Sequence, residues 1–401
     1  MSVWSRSVAR FEANDMNGLA EQLTRQREAG LYRRRRVVSS PQQTEMVVDG
    51  RPMLTFCSND YLGLANHPEV ITALQQAANA YGVGSGAAHL INGHSSAHHA
   101  LEEELAEFTN RPRALLYSTG YMANIGVVSA LLGRHDWLLE DRLNHASLVD
   151  AGALSPARVK RYQHSDPESL GRQLESCGAG RKLIATDGVF SMDGDLAPLD
   201  EFHGIAQNHE AWLMVDDAHG LGVLGESGGG SLAHFGLGID QVPILMGTLG
   251  KGFGTFGAFV AGSEELIEIL IQKSRSYVYT TAMPSAVAEA TRVSLRIAQQ
   301  ESWRRERLAQ LVSRFRQAAE EMGLPLMPSN TPIQPLLTGS AEQALQWSKF
   351  LEDKGILVSA IRPPTVPEGQ ARLRITFSAN HTERQLDRLL DALQILSLEQ
   401  K

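Results

Sequence analysis

Trp212-Leu213-Met214-Val215-Asp216-Asp217-Ala218-His219-Gly220 is an apolar run that ends on an acid, and about thirty residues later comes Thr248-Leu249-Gly250-Lys251-Gly252-Phe253-Gly254. A short run apolar on both faces reads as a strand of a parallel sheet covered by helices. In open parallel sheets ligands sit beyond the carboxyl ends of the strands, and Asp216 falls at such an end. A lysine among small residues has its ammonium desolvated and loses its proton more readily. A neutral amine can form a Schiff base with an aldehyde, and an acid ending an upstream strand is what a pyridinium nitrogen needs as a partner. Lys251 and Asp216 together point to pyridoxal 5'-phosphate (PLP) held covalently. Taken singly, Asp216 also reads as a helix cap and His219 as a structural histidine; each gains its meaning from the other. With Asp216 in place, His219 could donate to the ring's phenolic oxygen.

Working outward, Ala114-Leu115-Leu116-Tyr117, Lys182-Leu183-Ile184-Ala185-Thr186, Ile244-Leu245-Met246 and Ala258-Phe259-Val260-Ala261 read as further strands. Helical stretches such as His98 to Thr109 and Leu199 to Asn208 lie between them, which predicts βαβ units. The expected fold is therefore α/β: a large domain with a mainly parallel sheet flanked by helices over residues 51–288, after an N-terminal arm over 1–50. A smaller α+β C-terminal domain is expected over 289–401. In the arm, Phe11 to Gly30 is polar with spaced apolar residues, and Gly30 could end a helix. A long helical stretch runs from about Pro284 to Gly323, with Trp303, Leu308, Leu311 and Phe315 at core-packing spacing.

Other candidates also follow strands. Ser118-Thr119-Gly120-Tyr121-Met122-Ala123-Asn124 opens a helix, and backbone amides at a helix start form an anion site. Gly120 would let a phosphate approach the backbone, and Tyr121 could cover a ring. His145, in Asp141-Arg142-Leu143-Asn144-His145-Ala146-Ser147, follows Trp137-Leu138-Leu139 and could stack on a flat cofactor. Ser191, in the Asp/Gly-rich stretch Thr186 to Asp195, could bond the cofactor's phenolic side, although such a stretch also reads as a turn. Gly252-Phe253-Gly254-Thr255-Phe256-Gly257 matches G-x-G-x-x-G, but a strand-like run rather than a helix follows it. That argues against a dinucleotide site and for glycines crowded around a cofactor.

The composition sets outer limits. Over 401 residues the chain carries 37 Lys and Arg against 45 Asp and Glu, a net charge of -8, so no general basic field invites nucleic acid. The run Arg33-Arg34-Arg35-Arg36 reads as a solvated face or an anion patch. Two cysteines, Cys57 and Cys177, exclude a disulfide framework and fit a reducing compartment as buried small hydrophobes. The opening residues lack a signal-peptide core, and no apolar run approaches the roughly 18 residues of a bilayer span. A cytoplasmic location and no membrane partner are expected. His94-Ser95-Ser96-Ala97-His98-His99 lacks the spacing of a known zinc signature and reads as helix-start polarity, so no metal is expected.

These motifs, with Asn59-Asp60-Tyr61-Leu62-Gly63-Leu64, occur in an order that resembles the α-oxoamine synthases, PLP enzymes of fold type I, from about residue 30 to 395. That family joins an amino acid to an acyl thioester with loss of carbon dioxide. The segment Ala360-Ile361-Arg362-Pro363-Pro364-Thr365-Val366-Pro367 looks most like the member of the biotin pathway that takes L-alanine and a pimeloyl thioester, carried on coenzyme A or an acyl carrier protein. The resemblance implies Lys251 as Schiff-base lysine and base, Asp216 as pyridinium partner and His145 as the stacked histidine, also placed to bond substrate. It implies cofactor contacts from Gly120, Tyr121, Ser191, His219 and Thr248, and substrate contacts from Asn59, Thr365, Arg374 and Arg33, the last for the acyl group. It implies a homodimer with the active site at its interface, where Thr281 could reach the partner's phosphate. Alternatives are another family member, such as a glycine C-acetyltransferase or a 5-aminolevulinate synthase type, and a non-catalytic binding protein on the same fold.

Overall fold

The computed structural model describes residues 18–398. Part of the expected arm, with the opening residues and the stretch from Phe11 where its helix is expected to begin, lies outside the described residues. What is described of that helix runs Leu19–Glu28 and ends before Gly30, whose φ of 67° is the left-handed conformation a helix stop uses.

Seven strands form the central sheet, in the order Arg113–Tyr117, Ala258–Gly262, Ile244–Thr248, Trp212–Asp216, Lys182–Asp187, Trp137–Asp141, Arg158–Tyr162. All share one direction except Ala258–Gly262, which is antiparallel to both neighbours. Leu213, Met214 and Val215 are fully buried; each such side chain stabilises by roughly 1.5–3 kcal/mol. Burial on both faces is why these strands are continuous apolar runs. Arg158–Tyr162 escapes that signal because it is an edge strand with three of its five residues exposed, and its Arg158, Lys160 and Arg161 suit an unpaired edge.

The smaller C-terminal domain holds the antiparallel strands Ile333–Gly339, Ala371–Thr376 and Ser359–Ile361. The helices Ala341–Asp353 and Glu383–Leu398 belong to the same part of the chain. A third sheet joins Glu45–Val48 and Arg51–Thr55 to Ile356–Leu357. The Thr376 amide donates to the Phe56 carbonyl at 2.8 Å. This pairing brings the Asn59 segment beside Arg374, more than three hundred residues away in the chain.

The long helical stretch is two helices, Ser285–Gln300 and Trp303–Glu321; the first runs across residues 288 and 289. Leu308, Leu311 and Phe315 are buried, but Trp303 is 48% exposed, against expectation. It sits in the first turn, where its indole N–H bonds Glu301 at 3.1 Å and the Arg304 guanidinium lies 4.5 Å from its ring centroid. Two of the glycines of Gly252 to Gly257 are crowded by the protein's own backbone: a Cβ at Gly252 would lie 2.7 Å from the Leu221 carbonyl oxygen, and one at Gly254 2.4 Å from the Ala65 nitrogen. Cys57 and Cys177 are free thiols, only partly buried. Among the described residues no helix is long and apolar enough to cross a membrane.

Candidate active site

Five strand ends meet along one edge of the sheet. Tyr117 leads into the helix Gly120–Leu131, Asp141 into His145, and Lys182–Asp187, Trp212–Asp216 and Ile244–Thr248 end on Asp187, Asp216 and Thr248. The parallel register pairs Asp187 with Asp216 across adjacent strands.

Lys251 follows Thr248 by one turn. Its Nζ lies 2.8 Å from His219 Nε2, and His219 Nδ1 lies 2.7 Å from the Tyr61 hydroxyl. Burial pulls the Lys251 amine down to about 8, while Asp216 and Asp187 oppose the fall. His219 is pushed well below the usual histidine value, by burial first and then by Lys251, so it is a neutral imidazole. The Tyr61 hydroxyl also donates to Asn59 Oδ1 at 3.3 Å. Arg374 donates to Asn59 Oδ1 at 3.2 Å and to the Ser191 carbonyl at 2.5 Å.

Asp216 is buried, and both carboxylate oxygens are held. Oδ2 accepts from Asn124 Nδ2 at 2.7 Å, and Oδ1 accepts from the Ala218 amide at 3.1 Å. Two buried acids so close cannot both be charged cheaply; burial and then Asp216 push Asp187 well above the carboxylate range. Asp187 Oδ2 accepts the His145 amide at 2.7 Å. His145 caps the helix Ala146–Leu154, with the Ser147 hydroxyl 2.7 Å from its Nδ1. Burial lowers the basicity of its ring, as does Lys251, whereas Asp216 raises it. Lys251, Asp216 and His145 thus share one electrostatic neighbourhood.

The helix Gly120–Leu131 starts with Thr119 as cap, accepting from the Met122 amide at 3.2 Å. The Tyr121 ring is 6.5 Å from that of His145, at 77°, and its hydroxyl bonds Asp150. The Thr248 hydroxyl donates to the Gly257 carbonyl at 3.1 Å and accepts the Gly250 amide at 3.3 Å. Thr281 is exposed and bridges Ala88.

Arg33 and Thr365 stand together, Arg33 Nη2 being 3.4 Å from Thr365 Oγ1. Both line a cavity of about 660 Å³, along with Arg34, Arg36 and Cys57. The run of arginines is not uniform: Arg36 is committed to Glu352, with Asp49 at 3.5 Å. Cys57 lines the same cavity, its thiol pushed up by burial and drawn back by Ser359, Arg374 and Arg36.

Three residues with a clear part escaped the sequence reading. Asn124 is a buried amide in an otherwise apolar helix, and that mismatch was a usable signal. Asp187 ends a strand just as Asp216 does. Tyr61 carries no such mark, since its hydroxyl meets His219 only through the fold.

The loop that carries Ser191 is clipped in place by His164. Its Nδ1 lies 3.1 Å from Asp141 and its Nε2 2.9 Å from Asp195. Burial opposes its charge, but the two carboxylates outweigh that and push it up to about 10. A histidine pKa raised on folding stabilises fully below the unfolded value of about 6.5, and the contribution is lost as pH rises through the folded value. Urea denaturation of wild type and His164→Gln should show a wild-type advantage that shrinks between about pH 6.5 and 10. An advantage independent of pH would contradict the charged clip.

The residues fit PLP on their own chemistry: a buried amine of lowered pKa for an aldehyde, a buried and braced carboxylate for a pyridinium, and a helix start for a phosphate. The family model for aminotransferase class I and II matches residues 51–393. The 8-amino-7-oxononanoate synthase of Thioalkalivibrio sulfidiphilus (strain HL-EbGR7) is 65% identical over 379 residues, spanning 94% of this chain and 97% of that protein. Among solved structures, a variant of serine palmitoyltransferase from S. paucimobilis with a bound PLP–myriocin aldimine is similar with a TM-score of 0.90 at 30% identity, over 96% of this chain and 97% of that one. An 8-amino-7-oxononanoate synthase from Francisella tularensis matches with a TM-score of 0.76 at 33% identity, over 86% and 97%. The chain belongs to the aminotransferase class I and II family and, within it, to the 8-amino-7-oxononanoate synthases.

Proposed function

We propose that this enzyme condenses L-alanine with a pimeloyl thioester in biotin biosynthesis, releasing 8-amino-7-oxononanoate, carbon dioxide and the free thiol carrier. The observation that carries the reading is the buried Lys251 amine against neutral His219, in the field of Asp216.

When bound, PLP supplies an aldehyde for the Lys251 amine and a ring that withdraws electrons from the alanine Cα. Asp216 would face the pyridine nitrogen and keep it protonated, and Asn124 and the Ala218 amide hold that carboxylate in place. Lys251 Nζ, with a pKa drawn toward neutrality, takes the alanine Cα proton. His219 steadies that amine and is itself fixed by Tyr61. Arg374 and Asn59 hold the alanine carboxylate, and Arg374 is fixed in turn by its bond to the Ser191 carbonyl. His145, anchored by Asp187 and Ser147, faces the same space and bonds substrate. The amides at Gly120 and Tyr121, with Ser191, His219 and Thr248, would hold the cofactor.

Arg33, backed by Thr365, binds the far carboxylate of the pimeloyl chain. Its neighbour Arg36 is already paired with Glu352, which favours Arg33 for this role. Arg33→Ala should raise KM for the pimeloyl thioester roughly tenfold or more, since a lost bond to a charged group costs about 1.5–3 kcal/mol. kcat and the KM for alanine should hold. Arg36→Ala should leave the thioester KM unchanged. The reverse pattern would reassign the site.

The working form is a cytoplasmic homodimer. Val83, Ile91 and Tyr279, exposed at 87%, 78% and 72%, lie in segments tied together by the Ala88–Thr281 bridge and form a natural partner face, with Thr281 placed to reach the partner's phosphate. A substrate matrix tests the whole reading: thiol release from pimeloyl-coenzyme A and from the pimeloyl acyl carrier protein, each with alanine, glycine or serine. Alanine should be preferred; a preference for glycine would move the enzyme to the glycine-using relatives.

A further inference from the structure

Outside the cleft, three side chains converge at the start of the helix Ser96–Phe108. Exposed His99 and mostly buried Glu102 sit one turn apart on it, and His94 approaches from the turn His89–Gly93 that leads into it. The atoms of these three that can bind a metal all lie within 4.8 Å of one another. In sequence they are spaced H-x4-H-x2-E, which matches no common zinc signature; only the fold sets the Glu102 carboxylate beside both histidines.

Neighbouring bonds aim two of the three. Glu102 Oε1 accepts the Leu116 amide at 2.9 Å, and its Oε2 is left 3.9 Å from His94 Nε2. On the other side of the His94 ring, Nδ1 lies 2.8 Å from His89 Nδ1. With His94 as donor in that bond, its Nε2 carries a lone pair toward the carboxylate. Hydrogen bonds of this kind orient the ligating histidines of metal sites. His98 also comes within 4.8 Å of His89 and His94, but both its ring nitrogens are engaged: Nδ1 accepts the Ser95 amide at 3.0 Å in a capping box, and Nε2 bonds the Met283 carbonyl at 2.7 Å. Helix-start polarity therefore explains His98 but not His94 or His99. The cluster opens on a cavity of about 560 Å³, which leaves room for water.

We propose that His94, His99 and Glu102 bind one divalent transition-metal ion of the zinc, cobalt or nickel kind, with water completing its coordination. Two imidazole nitrogens and one carboxylate oxygen favour that class over calcium or magnesium, which take oxygen ligands. The bound ion ties the turn to the first two turns of the helix.

The test adds cobalt(II) to the PLP-loaded full chain and follows visible absorption and titration calorimetry for wild type, His99→Ala and Glu102→Gln. One ion per chain is expected, with affinity falling at least about tenfold in each variant and the PLP spectrum unchanged. His99 is well exposed, so its removal leaves the fold intact; if Glu102→Gln melts lower without metal, His99→Ala alone decides. Equal affinity in wild type and His99→Ala, or no binding at all, overturns the proposal.

Discussion

Replacing Lys251 with alanine should lower kcat by about a thousandfold or more, because in the proposed reaction one amine both anchors the cofactor and moves the Cα proton, and a positioned acid–base group alone is worth about 10²–10⁴. The rest of the cofactor site is untouched by the change: Asp216 keeps its bonds from Asn124 and Ala218, and Thr119 still caps its helix. The variant should therefore still bind PLP, without covalent attachment. Absorbance titration and steady-state turnover, run on the same preparation, check both halves. Turnover like that of wild type would remove Lys251 from its role.

Asp216→Ala should weaken PLP binding and activity together. The carboxylate is buried. In the proposed site its loss takes away the counter-charge of the pyridinium and leaves one of the two Asn124 amide N–H donors without a partner, the other still bonding Ser147, at a cost of about 1–3 kcal/mol. Cofactor affinity should fall roughly tenfold or more and kcat/KM by about 10²–10⁴. Asp216→Asn separates charge from shape, since it keeps a polar group of the same size beside Asn124. If the asparagine variant retains wild-type activity, the negative charge is not what the site uses. In the cofactor-free protein, either change should lower the Lys251 pKa further, because Asp216 is the strongest influence holding it up.

What was legible in the chain follows from range. Strands buried on both faces announce themselves locally, and the acid, histidine and lysine that matter follow such strands directly. Lys251, Asp216 and His219 could therefore be picked out before any coordinates. Partnerships made across the fold could not. Tyr61 becomes a support for His219 only when the segment after Arg51–Thr55 is laid against the strand Ala371–Thr376. Arg33 and Arg36 look alike in a run of arginines, and Glu352, more than three hundred residues on, tells them apart. Trp303 fits a helical stripe yet faces solvent, because helix periodicity does not say where a helix begins. The glycines after Lys251 were legible as crowding, but what crowds them is backbone from Leu221 and Leu64–Ala65, which no local pattern records.

The most direct test of the central claim is to load the protein with PLP, reduce it with borohydride and map the modified peptide by mass spectrometry. A single phosphopyridoxyl group is expected on Lys251, absent from the Lys251→Ala variant. A label on another lysine, or no label in a protein that has bound PLP, would contradict it.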